Sequence, residues 1–437
     1  MPIFLEGNHI EREPGLLFDK SDSSAVHQQV YWGLRRYGPY DKDKISSIRV
    51  GIISLKNKID QVRKLIDELN KGTSIMPGGM PRFFCCSMDI VKEEFVDSTS
   101  TQDYEESGMN FVKSSDPKEI DVVIAYIPKT GRYFSNSPYY RLKAILASEG
   151  YASQMITDFT FLNIKWSYLN LASAIYSKAG GIPWVLESGM KNVDILLGIS
   201  ISNLVSERQR AGKSVRYVGY ANVFDSYGKW MFFEGTAQFY EKGKNYEQLK
   251  ELLSKAFQKF KAEKGFLPKN VMIHYYKKWG KEEITAVIKI LNELLGDFHV
   301  GFVSIDDSHP FRLYDTSIMD GSFPRGYYVY LAENRFLMST TGYTTIAARR
   351  MGTPKLLHII LKMQHPVKFI EMEDLALQIL SLTKLDWATA VPLIREPVTL
   401  QFSREIAYLT AAISEQEWKS ITSPDVNVIL SKRPWFI

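Results

Sequence analysis

Four side chains in the first half of the sequence are of the types needed to bind a terminal phosphate. They are Tyr139, Lys143, Gln154 and Lys178. A phosphate needs several hydrogen-bond donors that converge on its oxygens, and a nucleotide adds a flat base that stacks on an aromatic ring. Lysines and a glutamine amide supply such donors, and a tyrosine supplies the ring. Taken singly, each is more typical of a solvated lysine or a half-buried tyrosine, so only the set predicts a site.

The segments around these residues predict how they are positioned. The run YYRLKAILASEG is predicted to be a helix that ends at Gly150, and Tyr139 and Lys143 are four residues apart on one face near its N-terminus. Free backbone N–H groups at a helix N-terminus favour an anion. Lys178 ends another helical run, YLNLASAIYSKAGG. The two lysines are therefore expected to lie on different helices.

Short apolar strands alternate with amphipathic helices in the first half of the chain. SIRVGIISL and IDVVIAYI are predicted to be buried strands, and KNKIDQVRKLIDELNKG is predicted to be a crossover helix that ends at Gly72. This alternation predicts a parallel α/β domain over residues 41–182. Residues 1–40 show no sustained periodicity and are taken as an N-terminal segment.

Residues 183–437 mix antiparallel strands with helices. A strand over residues 193–201 is followed by two β-rich runs that a turn at residues 226–228 joins, which predicts a hairpin. An amphipathic helix and then alternating strands and helices follow. This order is compatible with a ribonuclease H-like sheet, and many other mixed folds share it. The predicted fold class is α/β, in two domains.

The composition is that of an ordinary soluble globular protein. The hydrophobic fraction is 45% and no uncharged apolar stretch of about 18 residues occurs, so no membrane span is expected. The first residues lack a basic region followed by an apolar one, which predicts a cytoplasmic protein. The net charge of +5 suits a polyanionic partner without identifying it. Cys85 and Cys86 are adjacent, so they form neither a disulfide framework nor a spaced metal site.

Together with the runs RRYGPY, KAGGIPW and RPWFI, the four residues resemble those of Argonaute proteins over nearly the whole chain. The resemblance is strongest to the archaeal Piwi-like proteins that lack a PAZ domain. It implies a Rossmann-like MID domain over residues 41–182, followed by a ribonuclease H-like PIWI domain over residues 183–437. In this family the tyrosine ring stacks on the first base of a guide strand, and the lysines bind the guide 5′-phosphate. The resemblance assigns the four residues to that pocket.

The resemblance also implies a metal ion in the pocket. Family members end in an aromatic and apolar tail whose carboxylate helps to hold a divalent ion on the guide phosphate, and the last residue here is Ile437. Because a carboxylate and a phosphate repel each other unless a hard cation bridges them, Mg²⁺ is the expected cofactor. A glutamine that assists the metal in close archaeal relatives is replaced by Ala174. Weaker binding, or binding by water and Ile437 alone, is therefore expected.

The second domain is expected to be catalytically inactive. Catalytic Argonautes cleave with Asp, Glu, Asp and a fourth His or Asp, which position two divalent ions. The matching first, third and fourth positions carry Ser200, Tyr276 and Arg404. A hydroxyl, a phenol and a guanidinium do not replace anionic oxygen ligands, and an arginine repels a cation. The acids that remain in the domain are typical of turns and surfaces: Asp194, Asp225, Asp306 and Asp307.

The expected function is guide-dependent binding without cleavage. The resemblance implies a guide of RNA, with DNA as the other choice, and a complementary DNA target. It also implies prokaryotic defence against plasmids or viruses together with a separately encoded effector or accessory protein. Two alternatives stay open. One is a guide-directed endonuclease with an unconventional metal site, and the other is an α/β enzyme that binds a small phosphorylated metabolite through Lys143 and Lys178.

Overall fold

The N-terminal part of the chain packs against both later parts. The computed structural model describes residues 5–128, 136–204, 216–236, 245–342, 353–391, 394–410 and 413–437. The first elements are β1 (Asn8–His9), β2 (Leu16–Leu17), β3 (Val26–His27) and α1 (Val30–Tyr37). Strand β1 joins the edge of the large sheet of the second domain, and β2 lies between β3 and a short later strand. The predicted N-terminal segment therefore extends two sheets.

The first domain is a parallel sheet flanked by helices. Its elements are β4 (Ser47–Leu55), α2 (Ile59–Lys71), α3 (Gly79–Phe84), β5 (Ser87–Val96), α4 (Thr101–Lys113), β6 (Val122–Tyr126), α5 (Pro138–Ser148), β7 (Ser153–Ile156), α6 (Asp158–Leu162) and α7 (Ile164–Lys178). The strand order is β5-β4-β6-β7, and all three neighbouring pairs are parallel. This is the parallel α/β domain that the sequence predicts.

Helix α2 shows why these segments fold as predicted. Its apolar residues recur every three or four positions, which places them on one face. That face is buried: Ile59, Val62, Leu65, Ile66 and Leu69 are all 5% exposed or less. Asp60 lies in the first turn and Lys71 in the last, the arrangement that the helix dipole favours.

The second domain is built on a sheet of nine strands. Its elements are β8 (Val185–Leu186), β9 (Ile195–Leu204), β10 (Arg216–Asp225), β11 (Trp230–Gly235), α8 (Asn245–Lys264), β12 (Asn270–Tyr275), α9 (Lys281–Leu294), β13 (His299–Asp306), β14 (Tyr327–Ala332), β15 (Arg335–Met338), β16 (Leu357–His365), α10 (Met372–Leu382), α11 (Val398–Thr410), α12 (Glu415–Ile421) and α13 (Pro424–Leu430). Short β8 pairs with β2. None of the helices in the described ranges has the length and apolar character needed to cross a membrane.

The nine strands lie in the order β1-β14-β15-β16-β13-β12-β9-β10-β11. Strands β10 and β11 form the predicted antiparallel hairpin. Strands β9, β12 and β13 are parallel neighbours: Gly198 is level with His274, and Tyr275 is level with Ser304. The carboxyl ends of these three strands therefore meet at one edge of the sheet, which is where open α/β sheets bind ligands.

Helix α11 crosses strand β9 at very close range. A Cβ atom added to Gly198 would lie 2.3 Å from the main-chain oxygen of Thr399, so only glycine fits there. The hydroxyl of Ser403, one turn further along α11, donates a 2.9 Å hydrogen bond to the main-chain oxygen of Thr399 and lies 3.4 Å from the carbonyl oxygen of Gly198. This contact fixes the position of α11 relative to the carboxyl end of β9.

The two domains share one hydrophobic core and are linked by indole hydrogen bonds. Nε1 of Trp184 donates to the carbonyl oxygen of Lys384 at 2.9 Å, and Nε1 of Trp387 donates to the carbonyl oxygen of Trp184 at 3.1 Å. Both tryptophans are at most 2% exposed. The buried loop that follows α10 is thereby held against the end of the first domain.

Candidate functional site

Helix α5 places Tyr139 and Lys143 on one face, as their spacing predicts. The helix begins at Pro138, at a position where the missing N–H of proline breaks no hydrogen bond. Nζ of Lys143 lies 5.6 Å from the centroid of the Tyr139 ring, within the range of a cation–π contact. Lys143 is only 1% exposed. Its ammonium group therefore lies inside the protein, beside the ring.

A second lysine reaches the same place from the end of α7. Lys178 is the last residue of that helix and is 1% exposed. Its Nζ donates a 2.7 Å hydrogen bond to Oε1 of Gln154, which lies in β7. A helix C-terminus carries partial negative charge and so favours a cation.

The two lysines share one buried environment and repel each other. Burial lowers the pKa of Lys143 from 10.5 to about 8. Burial also lowers the pKa of Lys178 well below its ordinary value, and the charge of Lys143 lowers it further. Within the described ranges, no side-chain carboxylate oxygen lies within 4.0 Å of either ammonium group. The structure thus places Tyr139 beside Lys143 and Gln154 beside Lys178, around two buried lysines that no side-chain carboxylate contacts.

The last residues of the chain bring a main-chain oxygen into this pocket. Nζ of Lys143 donates a 3.1 Å hydrogen bond to the main-chain oxygen of Ile437. Trp435 and Phe436 are each 1% exposed. The ring centroids of Phe436 and Phe402 are 5.2 Å apart in an edge-to-face arrangement. The buried rings therefore hold Ile437 against Lys143.

Two acids that sequence reasoning missed lie near the lysines. The charges of Asp386 and Glu405 raise the pKa of Lys178, against the larger opposite effect of burial. Asp386 is 6% exposed, and burial raises the pKa of its carboxyl to about 6. Its Oδ1 accepts a 2.9 Å hydrogen bond from the N–H of Ala388. No sequence motif joins these acids to the lysines, because they belong to distant segments that only folding brings together.

The pocket offers a Mg²⁺ ion few ligands from the protein. Mg²⁺ is usually held by one or two protein oxygens together with phosphate oxygens and water. The oxygen of Ile437 fits this role, although it already accepts a hydrogen bond from the cation of Lys143. Ala174 is 3% exposed and offers no side-chain ligand. Ile437 is thus the residue that would hold the ion, which would add positive charge beside a bound phosphate.

Ser200, Tyr276 and Arg404 lie near the place where the pairing of β9 with β12 ends. The last paired residues of these strands are Gly198 and His274, so Ser200 and Tyr276 each lie two residues beyond that pair. Ser200 is 5% exposed, whereas Tyr276 is 40% exposed. Nη2 of Arg404 donates a 3.0 Å hydrogen bond to Oδ2 of Asp307, which directly follows β13. The three positions at which the sequence predicts the loss of catalytic acids therefore lie near one edge of the sheet.

Arg404 belongs to a group of four charged side chains, which we name the arginine cluster: Asp307, Arg395, Glu396 and Arg404. Nη2 of Arg404 contacts Glu396 as well as Asp307, and Nη2 of Arg395 donates to Asp307 at 2.6 Å. Across the ranges that the structure describes, no group of three or more His, Cys, Asp or Glu side chains is arranged to hold a metal ion.

Comparison with known proteins shows what the chain is similar to. No protein-family model matches the sequence. An Argonaute protein of Cereibacter sphaeroides is 21% identical over 458 residues, which cover 96% of this chain and 58% of the relative. An Argonaute protein of Aquifex aeolicus is 25% identical over 417 residues, which cover 91% of this chain and 54% of the relative. The chain thus spans little more than half the length of these relatives.

Solved structures extend the likeness to the fold. A structure of Clostridium butyricum Argonaute bound to a guide DNA and a 19-mer target DNA matches with a TM-score of 0.71 at 19% identity, over 93% of this chain and 53% of that one. A crystal structure of Drosophila Piwi matches with a TM-score of 0.71 at 13% identity, over 99% of this chain and 56% of that one. The chain is therefore similar in sequence to Argonaute proteins and has the fold of Argonaute and Piwi structures, which confirms the resemblance to Argonaute proteins and the α/β fold class predicted from its sequence.

Proposed function

We propose that this protein anchors the 5′-phosphate of a guide strand in the pocket around Lys143 and Lys178. The guide then recruits a complementary strand by base pairing. The observation that carries the proposal is the pair of buried lysines, each 1% exposed, with no side-chain carboxylate in contact within the described ranges. A buried cation without a partner is strongly disfavoured, and a phosphate that accepts hydrogen bonds from both lysines removes that penalty.

The other parts of the pocket suit a nucleotide. The ring of Tyr139 lies beside Lys143, and in the proposed complex the first base stacks on this ring. Lys178 has used one of its three donors on Gln154, which leaves donors for phosphate oxygens. The Clostridium butyricum relative was solved with a guide and a target strand, which supports the same arrangement here. Mg²⁺ held by Ile437 and the phosphate completes the proposed site.

We further propose that the protein binds its target without cutting it. Ser200 and Tyr276 offer no anionic oxygen at the edge of the sheet, and Arg404 places a cation there. Following the resemblance, the guide is RNA and the target is DNA. The protein acts in the cytoplasm in prokaryotic defence, together with a separate effector, because recognition without cleavage does no damage by itself.

The test is the binding of a short labelled RNA with and without a 5′-phosphate. Wild type should prefer the phosphorylated RNA by about 100-fold or more, because each charge-assisted hydrogen bond contributes about 1.5–3 kcal/mol. The Lys143→Ala/Lys178→Ala variant should lose that preference.

A matched control removes two lysines from α2. Lys64 and Lys71 are both 75% exposed and each pairs with a carboxylate four residues away, so Lys64→Ala/Lys71→Ala makes the same change of charge outside the pocket. This control should keep the phosphate preference. Equal binding of both RNAs by wild type would refute the guide pocket. A cut target after incubation of guide-loaded protein with Mn²⁺ would refute binding without cleavage.

A further inference from the structure

The arginine cluster has hydrogen-bond donors that the protein itself does not use. Arg404 makes both of its ion pairs, to Asp307 and Glu396, through a single nitrogen, Nη2. Counting only the described part of the chain, Nε and Nη1 of Arg404 have no acceptor. The Arg404 side chain is 39% exposed. Because a guanidinium carries five N–H donors in a planar fork, several of them remain available to a ligand from solvent.

The acids of the cluster hold both guanidinium groups in place. Glu396 has a side chain only 5% exposed and contacts Arg404 from inside the protein. Oδ2 of Asp307 accepts hydrogen bonds from Arg404 at 3.0 Å and from Arg395 at 2.6 Å. A long side chain normally loses rotamer freedom when it binds a ligand, and here the ion pairs have already removed that freedom. The cluster is thus a preorganised pair of cations.

The segment after β12 places an exposed aromatic ring and two exposed lysines at the same edge of the sheet as the cluster. Tyr276 is 40% exposed, and Nζ of Lys277 lies 5.0 Å from the centroid of its ring. Lys277 and Lys278 are both exposed. Because these residues follow β12, and Asp307 follows the neighbouring strand β13, they share with the cluster the edge where the parallel strands end. Basic groups interleaved with an exposed ring suit a phosphate backbone with stacked bases.

We propose that the arginine cluster binds one backbone phosphate of the guide–target duplex, with Arg404 as the main donor and Arg395 as the second. This inference rests on the proposed function, since it requires a bound duplex. A phosphate presents two oxygens in a geometry that matches the guanidinium fork. The interaction is with the backbone, so it adds affinity and fixes the position of the duplex but carries no sequence preference.

The proposal is tested with guide-loaded protein and duplexes in which one charged phosphodiester is replaced by an uncharged linkage. Each target, and in a second series each guide, carries one methylphosphonate linkage at a different position. With wild type, one linkage should weaken target binding by about tenfold, the size expected for one charge-assisted phosphate contact. The Arg404→Met variant should bind the unmodified duplex about tenfold more weakly, and the same linkage should then cause no further loss. Identical linkage profiles for the two proteins would overturn the proposal.

Two further variants keep the result interpretable. Arg404→Met leaves the carboxylate of Glu396 buried without its partner. If this variant does not fold, the double variant Arg404→Met/Glu396→Gln removes that charge. The double variant should show the same loss of duplex affinity. Arg63 has two carboxylate partners on the first domain, Asp60 and Glu93, and Arg63→Met should retain the wild-type profile. A wild type without 5′-phosphate preference would refute the proposed function itself. Retained preference with an unchanged linkage profile would refute only the role of the cluster.

Discussion

The pocket around Lys143 and Lys178 and the arginine cluster both gather two cations, but they neutralise them differently. The lysines are 1% exposed, and their described hydrogen-bond acceptors are the main-chain oxygen of Ile437 and the side-chain amide oxygen of Gln154. The side chains of Arg395 and Arg404 are 22% and 39% exposed, and carboxylates of the protein contact both of them. The first group is incomplete without an anion, and the second is neutral before any ligand arrives.

This difference separates two ways of binding a phosphate. In the pocket, burying two cations without an anion lowers the stability of the free protein, and a bound phosphate removes that penalty. The same burial that destabilises the free protein therefore increases its affinity for phosphate. In the cluster, acids of the protein already stabilise the cations, and a phosphate adds hydrogen bonds to donors that are already positioned. The pocket should therefore give the larger effects on both stability and binding.

The pH dependence of stability gives the largest expected effect, about 3 kcal/mol. Lys143 loses its proton near pH 8 in the folded protein, because burial lowers its pKa to about 8 from 10.5. Between those two pH values the unfolded chain binds more protons than the folded one, so stability rises with pH. Urea unfolding at a series of pH values should show the free energy of unfolding of wild type gaining about 3 kcal/mol over that of Lys143→Met between pH 8 and 10.5.

The same pH interval should weaken guide binding, since a neutral Lys143 no longer attracts phosphate. Lys64→Met is the control, because Lys64 is 75% exposed, and its unfolding curve should follow that of wild type at every pH. Parallel pH curves for wild type and Lys143→Met would mean that Lys143 keeps its proton, and that the pocket is already neutralised in the free protein.

Replacing one cation in each region should change stability in opposite directions. Lys178→Met removes a buried, unpaired ammonium group and should raise the free energy of unfolding of the guide-free protein by about 2 kcal/mol, although Gln154 loses its donor. Arg404→Met leaves Glu396 buried and unpaired and should lower the free energy of unfolding by about 1 kcal/mol. The loss is smaller than for a fully buried ion pair because Arg404 is partly exposed. Thermal or urea unfolding without guide measures both.

If Lys178→Met and Arg404→Met both raised or both lowered the free energy of unfolding, the contrast between the lysine pocket and the arginine cluster would be wrong. A further change, Glu396→Gln in the Arg404→Met background, should restore most of the lost stability, because it removes the carboxylate that was left alone. Lys178 has no side-chain carboxylate within 4.0 Å among the described residues, so its replacement leaves no ion-pair partner behind.

Elements with a continuous apolar run or a clear helical stripe were predictable from the sequence, and those without one were not. SIRVGIISL and IDVVIAYI correspond to β4 and β6, which have neighbours on both sides and are buried. Strand β5, SMDIVKEEFV, lies at the edge of the same sheet, and most of its positions are exposed or half-exposed. Its charged residues do not show the apolar run of a buried strand, because only tertiary pairing with β4 makes it a strand.

The residues of the candidate site likewise differ in whether their positions could be predicted from the sequence. Spacing along one helix placed Tyr139 beside Lys143, because residues four apart on a helix are neighbours. The proximity of Asp386 and Glu405 to the lysines depends on how α10, α11 and the loop between them pack on the first domain, and no local pattern records that. For the same reason Asp307, which by sequence is an ordinary surface acid, proved to join two arginines.

The smallest expected effect concerns the ring of Tyr139 and separates stacking from charge within the pocket. Tyr139→Leu should weaken guide binding by about 1 kcal/mol, the lower end of the range for a base stacked on an aromatic ring, and equally for RNA with and without a 5′-phosphate. Tyr139→Phe keeps the ring and should bind as wild type does. Direct titration with both RNAs measures this. If Tyr139→Leu instead reduced only the phosphate preference, the ring would act by holding Lys143 in place, and the pocket would bind the guide through its phosphate alone.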